Sequence, residues 1–134
     1  MPDAIRDPLI EGMHRVIAGA KGTAKPEIIR SLYRNPTWKR NYLDLKNELI
    51  GKTGTAEILY KQTIDVETEA KIQNHIWFSG IASSPGNEDL VVVVYLRFSE
   101  AGGKEAAPLA TEMVKKWREI CAKKGRTSYV LLEK

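Results

Sequence analysis

The chain has little of several residue types, and each scarcity excludes a class of protein or site. A single cysteine, Cys121, excludes an internal disulfide framework. The two histidines, His14 and His75, lie far apart with no cysteine or carboxylate at ligand spacing, so no metal site is expected. The longest apolar run covers residues 90–96, far short of the ~20 residues that a membrane-spanning helix needs. The first residues lack the charged-then-apolar pattern of a signal peptide, so the chain itself is expected to be soluble.

The composition fits one globular domain. The 134 residues are 43% hydrophobic and 28% charged, which allows a real core and argues against wholesale disorder. The net charge of +4 and the pI of 9.2 allow weak attraction to anionic surfaces, but no nucleic acid partner is expected. A basic stretch in residues 115–126, around Trp117, is interpreted as the solvated face of a helix. We expect no cofactor.

The amino-terminal third predicts two helices. The first has apolar residues at helical spacing and ends at Gly19. Its predicted inner face consists of Leu9, Ile10, Met13, Val16 and Ile17. A second, weaker helix opens at Pro26 and is broken at Asn35-Pro36.

The rest of the chain predicts three strands and one long helix. The strands are expected at residues 47–57, 76–82 and 90–98, the last buried on both faces because its apolar run is continuous. The polar segment 59–72 is interpreted as a loop or a distorted hairpin arm. The apolar stripe of residues 104–124 predicts a helix capped by Gly125, and residues 128–132 could add a short strand. The predicted fold class is α+β, an antiparallel sheet with helices packed on one face.

One stretch carries a chemical motif. An apolar, strand-like run leads directly into Gly51, Lys52, Thr53, Gly54 and Thr55. The Lys-Thr-Gly triplet is one of the three signature motifs of the penicillin-interacting serine enzymes. A phosphate-binding loop also contains Gly-Lys-Thr, but it needs a glycine where this chain has Lys46 and a helix after the loop. Nucleotide binding is therefore not expected.

Further blocks in the same order resemble the carboxyl-terminal portion of a penicillin-binding protein transpeptidase domain, of the monofunctional class B type. They are Gly-Met at residues 12–13, Gly-Thr-Ala at 22–24, Gly-Lys-Thr-Gly-Thr-Ala-Glu at 51–57, His-Ile-Trp-Phe-Ser-Gly-Ile-Ala at 75–82 and Gly-Lys-Glu-Ala-Ala-Pro at 103–108. The resemblance spans residues 8–117. It implies a partial β-lactamase/transpeptidase-like fold, with residues 1–134 as the C-terminal segment of a transpeptidase domain.

The resemblance implies acyl transfer, in which a serine attacks a D-alanyl-D-alanine carbonyl or the β-lactam carbonyl that mimics it. Lys52 would supply positive charge near the substrate carboxylate, and Thr53 would donate a hydroxyl hydrogen bond to it. Gly54 would let the substrate lie against the strand. The backbone N–H of Thr55 would be one of two oxyanion-hole donors. These four residues are the predicted substrate-binding site.

The nucleophile motif of the family, Ser-x-x-Lys, is absent from the sequence, because no serine is followed by lysine at the third place. The second motif, Ser-x-Asn, is absent too. Residues 33–35 have the form of a Tyr-x-Asn variant but lie too close to Lys52, so we attribute them to chance. We therefore predict no catalytic residue here, and an isolated chain that is an inactive fragment of a D,D-transpeptidase.

The resemblance also implies partners and a location. The complete enzyme would cross-link peptidoglycan in cell division or elongation, with stem peptides and β-lactams as ligands. It would be anchored in the bacterial inner membrane with its catalytic domain in the periplasm. Two strands of the family's sheet would be missing here, so the strand at residues 90–98 would be open to self-association unless residues 128–132 cover it. The alternative function is a non-catalytic peptide- or protein-binding module.

Overall fold

The computed structural model describes residues 1–64, 67–83, 89–99 and 101–123. These residues form the helices α1 (Asp3–Ala18), α2 (Arg30–Arg34), α3 (Pro36–Leu45) and α4 (Gly102–Lys123), with a 3-10 turn at Pro26–Ile28. The strands are β1 (Leu49–Ile64), β2 (Glu67–Ala82) and β3 (Leu90–Arg97), joined in an antiparallel sheet of order β1-β2-β3. The predicted α+β class is confirmed. The predicted cap at Gly125 and strand at 128–132 lie outside the described residues, among which no helix is long and apolar enough to cross a bilayer.

The hairpin of β1 and β2 is much longer than β3. Its two strands pair in register along their full length, starting with Leu49 opposite Ala82. β3 pairs only with the second half of β2, from Ala82 back to His75, so the outer half of the hairpin is a two-stranded ribbon. Of the two interpretations of segment 59–72, the hairpin arm is correct and the loop is wrong for the described residues, because residues 59–64 and 67–72 pair regularly. The segment contains no glycine or proline to interrupt a strand.

The core lies between one face of the sheet and α4. Leu49, Ile76 and Phe78 are buried on that face, together with alternate residues of β3. The residues of α4 in the same core are mostly small: Ala106, Ala107, Ala110 and Val114. Small side chains let a helix approach a sheet closely, and the 22-residue α4 packs on all three strands.

β3 is buried on one face only. Val92 and Val94 are 5% and 8% exposed, whereas Val91, Val93 and Tyr95 are 68%, 61% and 52% exposed. The prediction that this strand is buried on both faces is therefore wrong for the described part of the chain. A continuous apolar run is compatible with burial on both faces of a strand. Burial also requires another element to pack on each face, and the run itself does not show that such an element is present.

The basic residues of α4 attach its second half to the rest of the fold. Lys115 Nζ lies 3.0 Å from a carboxylate oxygen of Asp44 on α3. Arg118 Nη1 lies 2.6 Å from a carboxylate oxygen of Glu48, which comes just before β1. Arg118 also donates a hydrogen bond to the Ser83 carbonyl after β2. Part of the basic stretch is therefore engaged in ion pairs rather than fully solvated.

α1 meets the core only at its carboxyl-terminal end. Ile17 is buried and Val16 is half-buried, whereas Leu9 and Ile10 are 54% and 40% exposed. The predicted apolar face is thus correct for the last turn and wrong for the earlier turns.

The sequence prediction missed α3. The break expected at Asn35-Pro36 does end α2, but it also begins a new helix. The Asn35 side chain accepts hydrogen bonds from the backbone N–H groups of Thr37 and Trp38, at 3.1 and 3.2 Å, and Pro36 stands where a helix needs no donor. Asn35 therefore acts as a helix cap, which gives the Tyr-x-Asn form of residues 33–35 a structural explanation.

Candidate functional site on the free edge of β1

The four predicted site residues lie together in the first half of β1. Lys52, Thr53, Gly54 and Thr55 are consecutive strand residues, and β1 is the outer strand of the sheet in the described residues. Strand alternation places Lys52 and Gly54 on the face opposite α4 and the two threonines on the face that carries the core. The four residues thus share one strand edge but not one face.

The backbone of both threonines points away from the sheet. The Ser83 N–H donates to the Glu48 carbonyl at 2.9 Å, so these two residues form a hydrogen-bonded pair at the base of the β1–β2 ladder. Hydrogen-bonded and non-hydrogen-bonded pairs alternate in antiparallel sheets. Because residue 48 is in a hydrogen-bonded pair, residues 50, 52 and 54 also bond to β2, whereas residues 53 and 55 stand in non-hydrogen-bonded pairs. Their N–H and C=O groups are therefore directed to the free edge.

The hydrogen bond of the Lys52 side chain is consistent with a Thr53 carbonyl that faces the free edge. Its Nζ donates to the Thr53 carbonyl at 2.7 Å, which requires that carbonyl to be accessible. The side chain is exposed, and among the described residues no carboxylate lies within ion-pair distance of its ammonium group. The free edge of β1 thus carries uncompensated positive charge beside outward-facing backbone donors.

Thr23 joins the site from a distant part of the chain. Its Oγ1 lies 2.8 Å from Oγ1 of Thr53, so one hydroxyl can donate to the other and fix its orientation. In the sequence, the Gly-Thr-Ala block is a point of resemblance only, and no role is predicted for Thr23. That block was the signal that could have found it.

The loop that carries Thr23 is held by its next residue. The Ala24 N–H donates to the Val16 carbonyl at 2.9 Å, and the Ala24 carbonyl accepts from the Tyr42 hydroxyl at 2.6 Å. Burial raises the pKa of Tyr42 well above its usual range, because the ionised phenolate would lose hydration. The neutral, donating hydroxyl therefore persists across the physiological range. α1 and α3 together position the loop that supports Thr53.

Three glycines allow the start of α4 and the Trp77 ring to pack directly against the site. A Cβ on Gly54 would meet the Trp77 ring, and a Cβ on Gly103 would meet the Thr23 carbonyl. A Cβ on Gly102 would lie 2.6 Å from the Trp77 carbonyl and 2.7 Å from that of Gly54. The helix predicted from residue 104 therefore begins earlier, and its first two residues are the ones in closest contact with the site.

Gly54 has a second consequence for the predicted binding mode. The space that a side chain would fill on this face is already taken by Trp77, so the absence of a side chain serves internal packing. A ligand would therefore approach along the strand edge. Ser79, the residue opposite Lys52 on β2, shares this face, and no hydrogen bond joins the two side chains in the described structure. The described residues contain no group of three potential ligands that could hold a metal ion.

Comparison with known proteins gives a family. The model of the penicillin binding protein transpeptidase domain matches residues 9–115, which is well over half of the chain and includes Thr23, all of residues 52–55 and most of α4. No curated protein and no solved structure gives a significant match. Members of this family bind β-lactams and peptidoglycan substrates. The chain belongs to the penicillin binding protein transpeptidase domain family.

Proposed function

We propose that this chain supplies the substrate-binding strand of a serine D,D-transpeptidase that cross-links peptidoglycan and binds β-lactams. In this proposal residues 1–134 are the C-terminal segment of the transpeptidase domain, and the Ser-x-x-Lys nucleophile comes from elsewhere in the polypeptide. The observation that carries it is the free edge of β1, where the backbone of Thr53 and Thr55 faces outward beside the Lys52 ammonium, which has no carboxylate within ion-pair distance among the described residues.

The proposed chemistry uses this edge in three ways. A peptide ending in D-alanyl-D-alanine lies along β1 as an added strand, with main-chain hydrogen bonds to residues 53 and 55. The Lys52 ammonium and the threonine hydroxyls hold its terminal carboxylate. The Thr55 N–H donates to the scissile carbonyl oxygen, which becomes negative when the serine oxygen bonds to the carbonyl carbon. The C–N bond to the terminal D-alanine then breaks, and the serine proton leaves with the amine.

Thr23 acts in this proposal as a positioning residue. A hydroxyl can donate one hydrogen bond and accept another, so Thr53 can bond Thr23 and still reach the substrate carboxylate. The cellular role that follows is cell-wall synthesis in division or elongation, by a parent protein anchored in the inner membrane with this domain in the periplasm.

The experiment that tests the proposal is covalent labelling with penicillin, read by intact mass. The chain of 134 residues is expected to show no adduct, because it lacks Ser-x-x-Lys. The full-length polypeptide that carries this sequence is expected to be acylated, and Lys52→Ala is expected to slow acylation at least about tenfold by removing a charge-assisted contact. Arg40→Ala, an exposed change on α3, is the matched control and should label normally.

Two results would contradict the proposal. A stoichiometric adduct on the 134-residue chain would show that one of its own serines is a nucleophile, and Ser79→Ala would test the one opposite Lys52. Unchanged acylation of the full-length Lys52→Ala variant would remove the β1 edge from the site.

The second candidate function is a non-catalytic peptide-binding module, favoured by the absence of the nucleophile motif beside an open strand edge. It predicts saturable binding of a D-Ala-D-Ala peptide that is lost in Lys52→Ala, with no penicillin adduct on the full-length polypeptide. The same peptide with an amidated carboxyl terminus is the control ligand.

A further inference from the structure

We infer that Tyr42, a residue of the buried core, is a positioning residue of the candidate site. Its hydroxyl acts through Ala24 and Thr23 on the hydroxyl of Thr53, which the proposed function assigns to the substrate carboxylate. The inference rests on that proposed function. The hydrogen bonds that carry it all lie within the described chain, between α1, α3, β1 and the loop that follows α1.

The first step is the pair of hydroxyls at the site. Thr23 Oγ1 lies 2.8 Å from Thr53 Oγ1. A hydroxyl has one proton to donate, whereas an ionised carboxylate can only accept. When Thr53 donates its proton to a substrate carboxylate, it can bond Thr23 only as an acceptor, so Thr23 must be the donor. The position of the Thr23 hydroxyl therefore determines the direction in which the Thr53 proton points.

The second step is the backbone that holds Thr23, through the two peptide groups that follow it. In the first of these groups, the Ala24 N–H donates to the Val16 carbonyl at 2.9 Å. The Thr23 carbonyl of the same group lies against Gly103, where a Cβ would meet it. In the second group, the Ala24 carbonyl accepts from the Tyr42 hydroxyl at 2.6 Å. Ala24 is fully buried and Thr23 is exposed, so the buried residue fixes the exposed one.

The third step is the anchoring of Tyr42 itself. Its side chain is 1% exposed and belongs to the hydrophobic core. The residues on either side of it on α3 bind α4. The Asn41 amide donates to both carboxylate oxygens of Glu112, at 3.0 and 3.1 Å, and the Lys115 ammonium donates to Asp44 at 3.0 Å. The phenol hydroxyl is therefore a fixed donor to which the loop is attached.

Loss of this donor should weaken one part of the site only. A buried carbonyl without a partner is costly, so without the Tyr42 hydroxyl the loop must shift until the Ala24 carbonyl is paired again. The shift moves the Thr23 hydroxyl away from Thr53. Within the described residues, the hydrogen bond that joins this loop to β1 ends at Thr53 and not at Thr55. Binding of the carboxylate should therefore suffer, and stabilisation of the oxyanion should not.

The test is the rate of penicillin acylation of the full-length polypeptide, measured over a series of penicillin concentrations. The series separates the limiting rate from the half-saturating concentration. Tyr42→Phe should raise the half-saturating concentration about three- to tenfold, the usual effect of one hydrogen bond. It should change the limiting rate by less than about twofold, because a contact to the carboxylate is present both before and during the reaction.

Two variants of Thr23 connect this effect to the hydroxyl pair. Thr23→Val removes the hydroxyl with little change of shape and should raise the half-saturating concentration by a similar factor. Thr23→Ser keeps the hydroxyl and should be acylated like the wild type. In the Thr23→Val background, Tyr42→Phe should add less than about twofold, because the path from the phenol to Thr53 is already interrupted.

Two controls separate this effect from a loss of stability. Tyr33→Phe removes the same group from a tyrosine on α2 that is 61% exposed. Val92→Ala truncates a buried side chain of β3 and lowers stability without touching the loop after α1. Both variants should keep the half-saturating concentration of the wild type. Thermal midpoints confirm that each variant is folded at the temperature of the assay.

Four outcomes would overturn the inference. An unchanged half-saturating concentration in Tyr42→Phe, with the slow acylation expected of Lys52→Ala, would remove Tyr42 from the site and leave the proposed function standing. A full effect of Tyr42→Phe in the Thr23→Val background would mean that the phenol acts by another route. An equal effect of Val92→Ala would assign the change to stability. A wild-type polypeptide that is not acylated at all would overturn the proposed function and this inference with it.

Discussion

The two outer strands of the sheet face solvent in different ways. The edge of β1 is polar where the site lies, carries Lys52 and two threonines, and is supported from behind by Thr23 and the glycines of α4. The edge of β3 is apolar, with opposite charges only at its ends. Strand geometry is the same at both edges, so the side chains decide which partner each edge can accept.

Proline substitutions at the two edges are expected to have the largest and most different effects on acylation. Residues 55 and 93 both direct their N–H groups away from the sheet, so proline at either position removes no bond inside the hairpin. Thr55→Pro should lower the penicillin acylation rate of the full-length polypeptide about 10²–10³-fold, since the donor to the oxyanion is lost.

Val93→Pro is the matched control for acylation, which it should leave unchanged. Equal loss of acylation in both variants would mean that the substitutions act through folding and not through the edge. The thermal midpoint of each variant, measured by circular dichroism, separates these two outcomes.

The support behind β1 should be sensitive to one methyl group. Gly103→Ala places a Cβ against the Thr23 carbonyl, which is backbone and cannot rotate aside. We expect a loss of about 1–3 kcal/mol in the free energy of unfolding, from denaturant titration. Gly12→Ala is the contrasting change, because no atom lies near its Cβ and alanine favours a helix interior. It should stabilise by about 0.5–1 kcal/mol. Similar effects at the two positions would contradict the packing around α4.

Alternate residues of β3 should respond differently to truncation. Val92 is 5% exposed and Val91 is 68% exposed, although they are neighbours of the same type. Val92→Ala should lower the free energy of unfolding by about 1.5–2 kcal/mol, from two buried methyl groups. Val91→Ala should change it by less than about 0.5 kcal/mol in the monomer. Equal losses would show that both faces of β3 are covered, as the sequence had suggested.

A pH dependence of stability is expected from Tyr42, and it appears only in alkaline solution. Because the folded state raises the pKa of this phenol, it keeps the proton that the unfolded chain releases above about pH 10. Its contribution to stability is therefore complete below pH 10 and should fall by about 1.4 kcal/mol per pH unit above it. Tyr42→Phe should reduce this slope at the cost of the hydrogen bond to the Ala24 carbonyl. A slope that is unchanged in the variant would assign the effect to other groups.

Sequence patterns predicted the parts of this fold that are governed by local periodicity. The strand through residues 52–55 follows from the apolar run before the motif, and α4 follows from an apolar stripe at helical spacing. The motif on β1, together with four other blocks in the same order, indicated the family that the family model confirms. These features depend on residues that are near one another in the chain, which is the information that a single sequence contains.

Contacts between distant segments could not be predicted in the same way. The hydroxyl pair of Thr23 and Thr53 joins residues 30 positions apart, and Gly103 packs on a loop 80 residues earlier. The exposure of Val91 depends on which element stands opposite, and that is a property of the assembled fold. α3 was missed because Asn35-Pro36 was interpreted only as a helix end, although the same two residues favour a helix start.

Residues 57–64 of β1 and 67–74 of β2 form a two-stranded ribbon that β3 does not extend. Local opening of this ribbon is therefore separated from the three-stranded part of the sheet. A hairpin without a third strand is marginally stable, so amide exchange should accelerate from His75 towards the tip. Opening of the ribbon that spreads from residues 64 and 67 meets the pairing of His75 with β3 before it meets Thr55. Removing one residue from each strand, for example Tyr60 with its partner Lys71, would shorten the ribbon and preserve the register below it. Arm length can therefore diverge between relatives in paired steps while the geometry of residues 52–55 stays fixed.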